Sequence, residues 1–341
     1  MTLKSFLILS LILGLTLASC SNDKLDVDAS EVKVNIDFVN MDSVFVQSDS
    51  AQFMKYHLKW NQEMKDIYEF QLGHCLGINT NSDTAVLHAV QELINDPYVA
   101  RLEKRIAQKF KDKSDIKEKI RDGFRHLKYH FPKGKLPKNV VFMNTLFASS
   151  AASIETELGI GMERYLGAKT DVIQELPSRE FFEWIKVAMD NQYLERDAMG
   201  SWILTHYVDE PEGDALIEYI IYWGKILYLI EACYPEDDER IILRYTKDDY
   251  QWALDNEASF WNYLMDQKLL FKADERTRLN LLKEGPFTPG LPEDTENSPD
   301  RLGQFLGWRM VHQYMEDSDT SVKGLVDVDY KEIYQGYETE E

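Results

Sequence analysis

His126 and His130 lie four residues apart, the spacing that puts two imidazoles on one helix face where they could grip a metal ion. Zinc peptidases with such a pair carry a glutamate directly after the first histidine; here Leu127 stands in that place. Arg121, Arg125, Lys128 and Lys133 crowd the pair, and their charge opposes both a dication and the neutral imidazoles that ligation needs. No metal site is expected from it. His57, His74, His88, His206 and His312 show no ligand spacing, and Cys75 and Cys233 form no Cys-x-x-Cys. These two cysteines either pair in an oxidising compartment or stay as buried thiols. A Gly-x-Ser-x-Gly elbow, a phosphate loop and a dinucleotide fingerprint are all missing. The residues therefore nominate no catalytic group, no metal and no cofactor.

Cys20 offers chemistry of another kind. Lys4 precedes an apolar run from Phe6 to Leu17, which ends in Ala18-Ser19-Cys20. The run is too short and wrongly flanked to span a bilayer, so it reads as a cleaved export signal with Cys20 as a lipid attachment point. Several acyl chains on one residue give stable anchoring where a single chain does not. The plainer alternative is an ordinary secretory signal with an incidental cysteine.

The third chemical feature is the stretch 284–315, EGPFTPGLPEDTENSPDRLGQFLGWRMVHQYM. Four prolines stiffen a loop, and Ser298-Pro299 reads as an N-cap with a first-turn proline for the helix that follows. Arg301 falls in the first turn of that helix, where the helix dipole disfavours a cation, so it needs an acidic partner inside this fold or outside it. Trp308 and Arg309 have the composition of a binding hot spot. Gly303 and Gly307, four apart, admit a close neighbour, either a packed helix of the core or a bound segment.

Positioning these residues requires a mostly helical frame. Val32 to Phe38 alternates with period two and predicts a strand, as does 140–147, VVFMNTLF, and 156–167, TELGIGMERYLG, reads as a strand followed by a turn. Helical patterning fills the sequence up to about Phe131, with a cap at 81–83. The stretch 214–233 is apolar nearly all round and predicts a buried helix, since Glu218, Lys225 and Glu231 make it a poor membrane span. Thr246 and Asp249 form a capping-box pattern ahead of an aromatic stripe, Tyr250, Trp252, Phe260, Trp261 and Tyr263, of a kind that usually belongs to a core. The expected organisation is a signal peptide at 1–19, a lipidated tether at 20–31, a mostly helical region at 32–139, a second helical region at 140–325 and an acidic tail at 326–341. The fold class is mainly α (α+β) with a small β-sheet.

The 341 residues carry 38 Lys and Arg against 59 Asp and Glu, a formal charge of -21 that argues against nucleic acid as a partner. Residues 101–138 reverse the sign, with fourteen basic residues against five acids. That reads first as a solvated helix face, and second as a docking surface for an acidic protein or anionic lipid.

The blocks GIGMERYLG (159–167), IYWGKILYLIEACYPE (221–236), RYTKDDYQWALDNEASFWNYLMDQKLLF (244–271), EGPFTPG (284–290) and SPDRLGQFLGWRMVHQYME (298–316) resemble, in order, signature stretches of the gliding motility lipoprotein GldB family. The resemblance spans about 140 to 315. It implies an acylated, palmitate-bearing lipoprotein of the cell envelope, on the outer membrane and facing the periplasm. Its expected partners are envelope proteins of the motility or type IX secretion machinery. That family in turn resembles predicted zinc peptidases of helical, zincin-like architecture, in which a His-Glu-x-x-His helix precedes a helix bearing a Glu-Gly ligand pair. Matching the second helix puts Trp223 before Gly224, where the ligand glutamate would stand, and the first helix, at 198–207, offers His206 alone. Three protein ligands are the usual minimum for catalytic zinc, so the resemblance implies a fold kept without its chemistry. Trp223 and Lys225 join Arg301, Gly303, Gly307, Trp308 and Arg309 as candidate binding residues. The competing expectations are a divergent zinc-dependent peptidase and a carrier of an envelope ligand.

Overall fold

The computed structural model describes residues 24–291 and 297–339. Cys20 and the signal segment lie outside the described residues. A single sheet of four strands, in the order β1-β2-β4-β3, is built from β1 (Asp37–Asn40), β2 (Asn139–Met143), β3 (Ala151–Ile154) and β4 (Glu157–Gly161). β1, β2 and β4 run parallel, and β3 is antiparallel to β4 at the edge. The sheet joins the two expected halves of the chain, because β1 comes from the first and the other strands come from the second.

The sheet is buried on both faces, and the period-two alternation of β2 sorts its side chains between two cores. Val140 and Phe142 face the larger core, while Val141 and Met143 face a smaller one. Helices α1 (Ser50–Glu63) and α2 (Asp83–Asn95) cover the smaller core with Phe53, Trp60, Val86 and Val90. α3 (Pro97–Lys109) and α4 (Ser114–His130) close the larger core from one side through Leu102, Ile106, Ile120, Phe124 and Leu127. Much of the rest of that core comes from α5 (Leu194–His206), α6 (Leu216–Cys233), α7 (Lys247–Asp255), α8 (Glu257–Asp266), α9 (Glu275–Leu282) and α10 (Leu302–Asp317). Ser82 caps α2, and the Thr246–Asp249 capping box opens α7. The chain is thus mainly α with one small sheet, as its patterning predicts.

α6 and α10 form the centre of the larger core and touch backbone to backbone. A Cβ added to Gly307 would sit 1.9 Å from the Ile220 carbonyl oxygen, and one added to Gly224 would sit 2.1 Å from that of Gly307. Only glycine permits this crossing. Below it, Glu231 of α6 accepts hydrogen bonds from Trp308 Nε1 at 2.7 Å and from His312 Nε2 at 2.6 Å. At the far end of α10, Lys24 donates its ammonium to the carbonyls of Met315 and Ser318, the second at 2.5 Å. Free carbonyls and the negative end of the helix dipole favour a cation there.

Several sequence expectations are corrected. The strand expected at Val32–Phe38 begins only at Asp37; residues 32–36 alternate in burial, but no strand lies beside them to pair with. Ser298 and Pro299 do not cap α10. Ser298 Oγ instead accepts from the Thr288 N–H, and the N-cap is Arg301, in the left-handed region at φ 54°. The aromatic stripe is divided between α7 and α8, which break at Asn256. Within the expected acidic tail, a helix at Tyr330–Gln335 packs through the buried Ile333, and Tyr337 is buried too. Of the two states left open for Cys75 and Cys233, the structure has free thiols, Cys233 buried and Cys75 half-buried.

Candidate functional site

β4 delivers the first residues of the site. Its carboxyl end runs into a tight turn at Met162–Tyr165, from which neighbouring side chains diverge. Glu163 is fully buried and points inward; Arg164 and Tyr165 line a cleft. α5 adds Arg196 and Asp197 from its first turns, and Arg244 and Arg301, both in left-handed backbone, add two more guanidinium groups. The loop after α9 supplies Glu284, and Asp300 closes the ring. The open part of the cleft encloses about 340 Å³ and leads to a recess of about 60 Å³ beside Ser150, Tyr165 and Asp197.

Asp197 organises the interior. It takes Arg244 Nη1 at 2.6 Å, Tyr165 Oη at 3.1 Å and Arg196 Nη1 at 3.3 Å. Arg244 also donates to the Ala188 carbonyl at 2.9 Å, and Arg196 to that of Ile242 at 2.8 Å. Burial, together with the neighbouring charges of Arg244 and Arg301 and against the pull of Asp197, brings Arg196 down to about 10. Arg301 is 8% exposed. Its Nε stands 3.0 Å from Asp300 Oδ2, yet the alignment a hydrogen bond needs is lacking and the N–H has no acceptor among the described residues. Burial opposes its charge, but Asp300 and Glu284 outweigh burial and raise its pKa. Arg164 is half-buried on the cleft wall and has no ion-pair partner among the described residues. Glu284, exposed at the mouth, is opposed by desolvation, but Arg301, Arg244, Arg196 and Arg164 together hold its carboxyl below the usual range. Glu183 and Asp249 also line the cleft, so five carboxylates share its walls with the guanidinium groups of Arg164, Arg244 and Arg301, and Arg196 is buried beside Asp197.

Arg301 is the one sequence-nominated residue that lines this cleft. The acidic partners its position demands are within the fold: Asp300 beside it and Glu284 across the mouth. Trp308 is 1% exposed and bonded to Glu231, which leaves it no surface to offer a partner. Gly303 packs against Leu281 and Leu282, and Gly307 against α6, so core helices occupy the space a bound segment would need. Lys225 is buried and donates to the carbonyls of Val326 and Val328 at 3.2 and 2.6 Å. Arg309 pairs with Glu257 at 2.9 Å, and Trp223 packs half-buried against the core. The sequence reading missed Arg164, Arg196, Asp197, Arg244 and Glu284. A signal for three of them was present: Arg164, Arg244, Glu284 and Arg301 each belong to a different one of the blocks that carry the family resemblance, and the fold gathers all four at one cleft.

Other titratable groups fill structural roles. The His206 ring lies 4.2 Å from that of Trp202. On α4, His126 Nδ1 is 3.1 Å from the Asp122 carbonyl, and burial followed by the nearby His126 takes His130 down to about 4. Among the described residues no group of three or more His, Cys, Asp or Glu is placed to hold a metal ion. Much of the basic stretch is tied down by ion pairs, as in Arg101–Glu175, Arg105–Asp171, Lys113–Asp42 and Lys119–Asp237.

A second buried polar cluster lies on the opposite side of the turn that carries Glu163. Glu163 Oε1 accepts from the Thr145 N–H, the Thr145 hydroxyl and the Phe147 N–H at 3.0, 2.5 and 2.9 Å, and so holds a turn in which Leu146 and Phe147 are both left-handed. Its Oε2 has no partner, and burial raises its pKa. Glu103 takes one bond from Asn144 Nδ2 at 2.8 Å and is pushed up to about 8 by burial. Asp42, 3% exposed, is also raised by burial, although Lys113 lies 3.1 Å away.

No helix among the described residues is long and apolar enough to cross a membrane. No curated relative and no solved structure matches the chain. The family described as gliding motility protein GldB matches residues 22–338, well beyond the 140–315 over which the resemblance was read. With nearly its whole length accounted for, including the strand, the turn and the loops that build the cleft, this chain belongs to the gliding motility protein GldB family.

Proposed function

We propose that the chain is a lipid-anchored, non-catalytic component of the gliding motility machinery, held at the cell envelope through Cys20 and acting by binding a partner at the arginine-lined cleft. The observation that carries this reading is the convergence of Arg164, Arg244, Glu284 and Arg301 from four separate family blocks on one cleft. Packing supports a binding role over a peptidase role. Gly224, next to Trp223, spends its face on α10, and the His206 ring lies tilted against that of Trp202, 4.2 Å away.

Arg164 is the residue to test, because it lines the cleft without supporting a neighbour, whereas Arg301 is set too deep to remove cleanly. Cells carrying Arg164→Ala at the native locus are expected to lose or slow gliding, with the protein accumulating and melting like the parent. Normal gliding in that strain would remove the cleft from the function.

A further inference from the structure

A second pocket, apart from the arginine-lined cleft, opens between α3 and the helix Met41–Gln47 and encloses about 460 Å³. That volume falls within the usual range for small-molecule sites. Two carboxyl groups and three lysines line it, so no large net charge selects an occupant; the separation of the two signs does. Asp42 and Glu103, 3% and 6% exposed, form the floor, whereas Lys104 and Lys111 stand exposed at the rim. Each floor carboxyl keeps an oxygen that bonds nothing among the described residues. Asp42 Oδ2 pairs with Lys113 at 3.1 Å, and its Oδ1 has no partner; Glu103 Oε1 accepts from Asn144 Nδ2 at 2.8 Å, and its Oε2 accepts nothing. Buried acceptors left idle are costly and call for a donor. Neither rim lysine has an ion-pair partner among the described residues, and Ile106, Ala107 and Phe110 add an apolar wall.

We infer that this pocket binds a small zwitterion, with an ammonium group at the Asp42–Glu103 floor and a carboxylate or phosphate at Lys104 and Lys111. An ammonium carries three N–H donors and no acceptor, so one such group can serve both free oxygens. It also brings a second cation to buried acids that have only Lys113 close by. Burial holds Glu103 up at about 8, so at pH 7 an arriving ammonium expels its proton. The exposed lysines then meet the anionic end of the same molecule, which a bare amine lacks. This is the chemistry shared by a free amino acid and by the headgroup of an ethanolamine phospholipid.

Calorimetry of the full chain in non-ionic detergent at pH 7 provides the test. Glycine and glycerophosphoethanolamine serve as zwitterions, and ethanolamine and inorganic phosphate present the two charges apart. A zwitterion is expected to bind about tenfold or more tightly than either single-charge probe, the gain of a charge-assisted bond, and the tighter of the two zwitterions identifies the source. Titrations in buffers of different ionisation enthalpy should show a proton released on binding. Glu103→Gln keeps the shape of the side chain but cannot ionise, so it should weaken the zwitterion by about tenfold or more and abolish the proton release. Lys104→Ala combined with Lys111→Ala, both on exposed side chains, should bring the zwitterion down to the affinity of ethanolamine. Failure of both zwitterions to bind overturns the inference, as does a single-charge probe that binds as tightly, or an affinity unchanged by Glu103→Gln. Those outcomes leave the role of the arginine-lined cleft standing, because that role is read at a different place, by gliding in Arg164→Ala.

Discussion

Glu163 and Arg164 are neighbours in sequence, yet they lead into two buried polar regions that manage charge in opposite ways. On the Glu163 side, the carboxyl groups of Asp42, Glu103 and Glu163 have Lys113 as their one close cation, and burial pushes all three toward the neutral acid. On the Arg164 side, carboxylates of similar burial sit among guanidinium groups and form ion pairs. The single Lys113 beside Asp42 does not offset its burial, whereas Asp197 has two guanidinium groups and a hydroxyl around it. The first region is a structural clamp for a strained turn, and the second holds its buried charges in ion pairs beside an open cleft.

Removing charge while keeping shape should separate the two regions sharply. Asp197→Asn breaks buried pairs with Arg244 and Arg196 and should cost about 3–5 kcal/mol, read by denaturant unfolding at pH 7. A loss below about 1 kcal/mol would mean that the pairs in the cleft carry no more weight than surface pairs. Glu103→Gln should act next most strongly, and through pH. The acid titrates near 4.5 when unfolded and near 8 when folded, so between those values the folded chain holds the extra proton and stability falls as pH rises. The glutamine variant should lose that part of the slope and exceed the parent by about 3 kcal/mol at pH 7, at about 1.36 kcal/mol per pH unit over the 2.5 units above 4.5. An unchanged slope of unfolding free energy against pH would show that Glu103 is not held neutral. The smallest effect is expected for Glu163→Gln, which keeps the acceptor that holds Thr145 and Phe147 and replaces an oxygen that has no partner. Its melting temperature should stay within a few degrees of the parent, a change of about 1 kcal/mol or less. A large drop would mean that Glu163 is ionised and that the two regions are alike.

Periodicity made most of the frame legible. The buried α6, the capping box of α7 and the strands at β2 and β4 follow from patterns that act within one element. The cleft was legible only through Arg301, whose place near a helix start demanded an acidic partner. Arg196 and Asp197 look like any charged pair on a helix, and Arg244 gives no hint that its backbone is left-handed. Their meaning lies in long-range contacts, such as Arg244 to Asp197 across 47 positions, that no local pattern encodes. Trp308 misled for the same reason. An aromatic beside an arginine fits a binding surface or a core equally well, and Glu231, distant in sequence, decides for the core.

The clasp between Lys24 and the last carbonyls of α10 sets how far this protein can reach. With Cys20 acylated as proposed, four backbone steps lead from the lipidated residue to Lys24, a leash of at most about 14 Å. α10 adds about 24 Å from the clasp to Arg301. The mouth of the cleft then stays within on the order of 40 Å of the bilayer. So short a leash confines the search for a partner to a thin shell above the lipid, and favours targets that are themselves fixed at the same membrane.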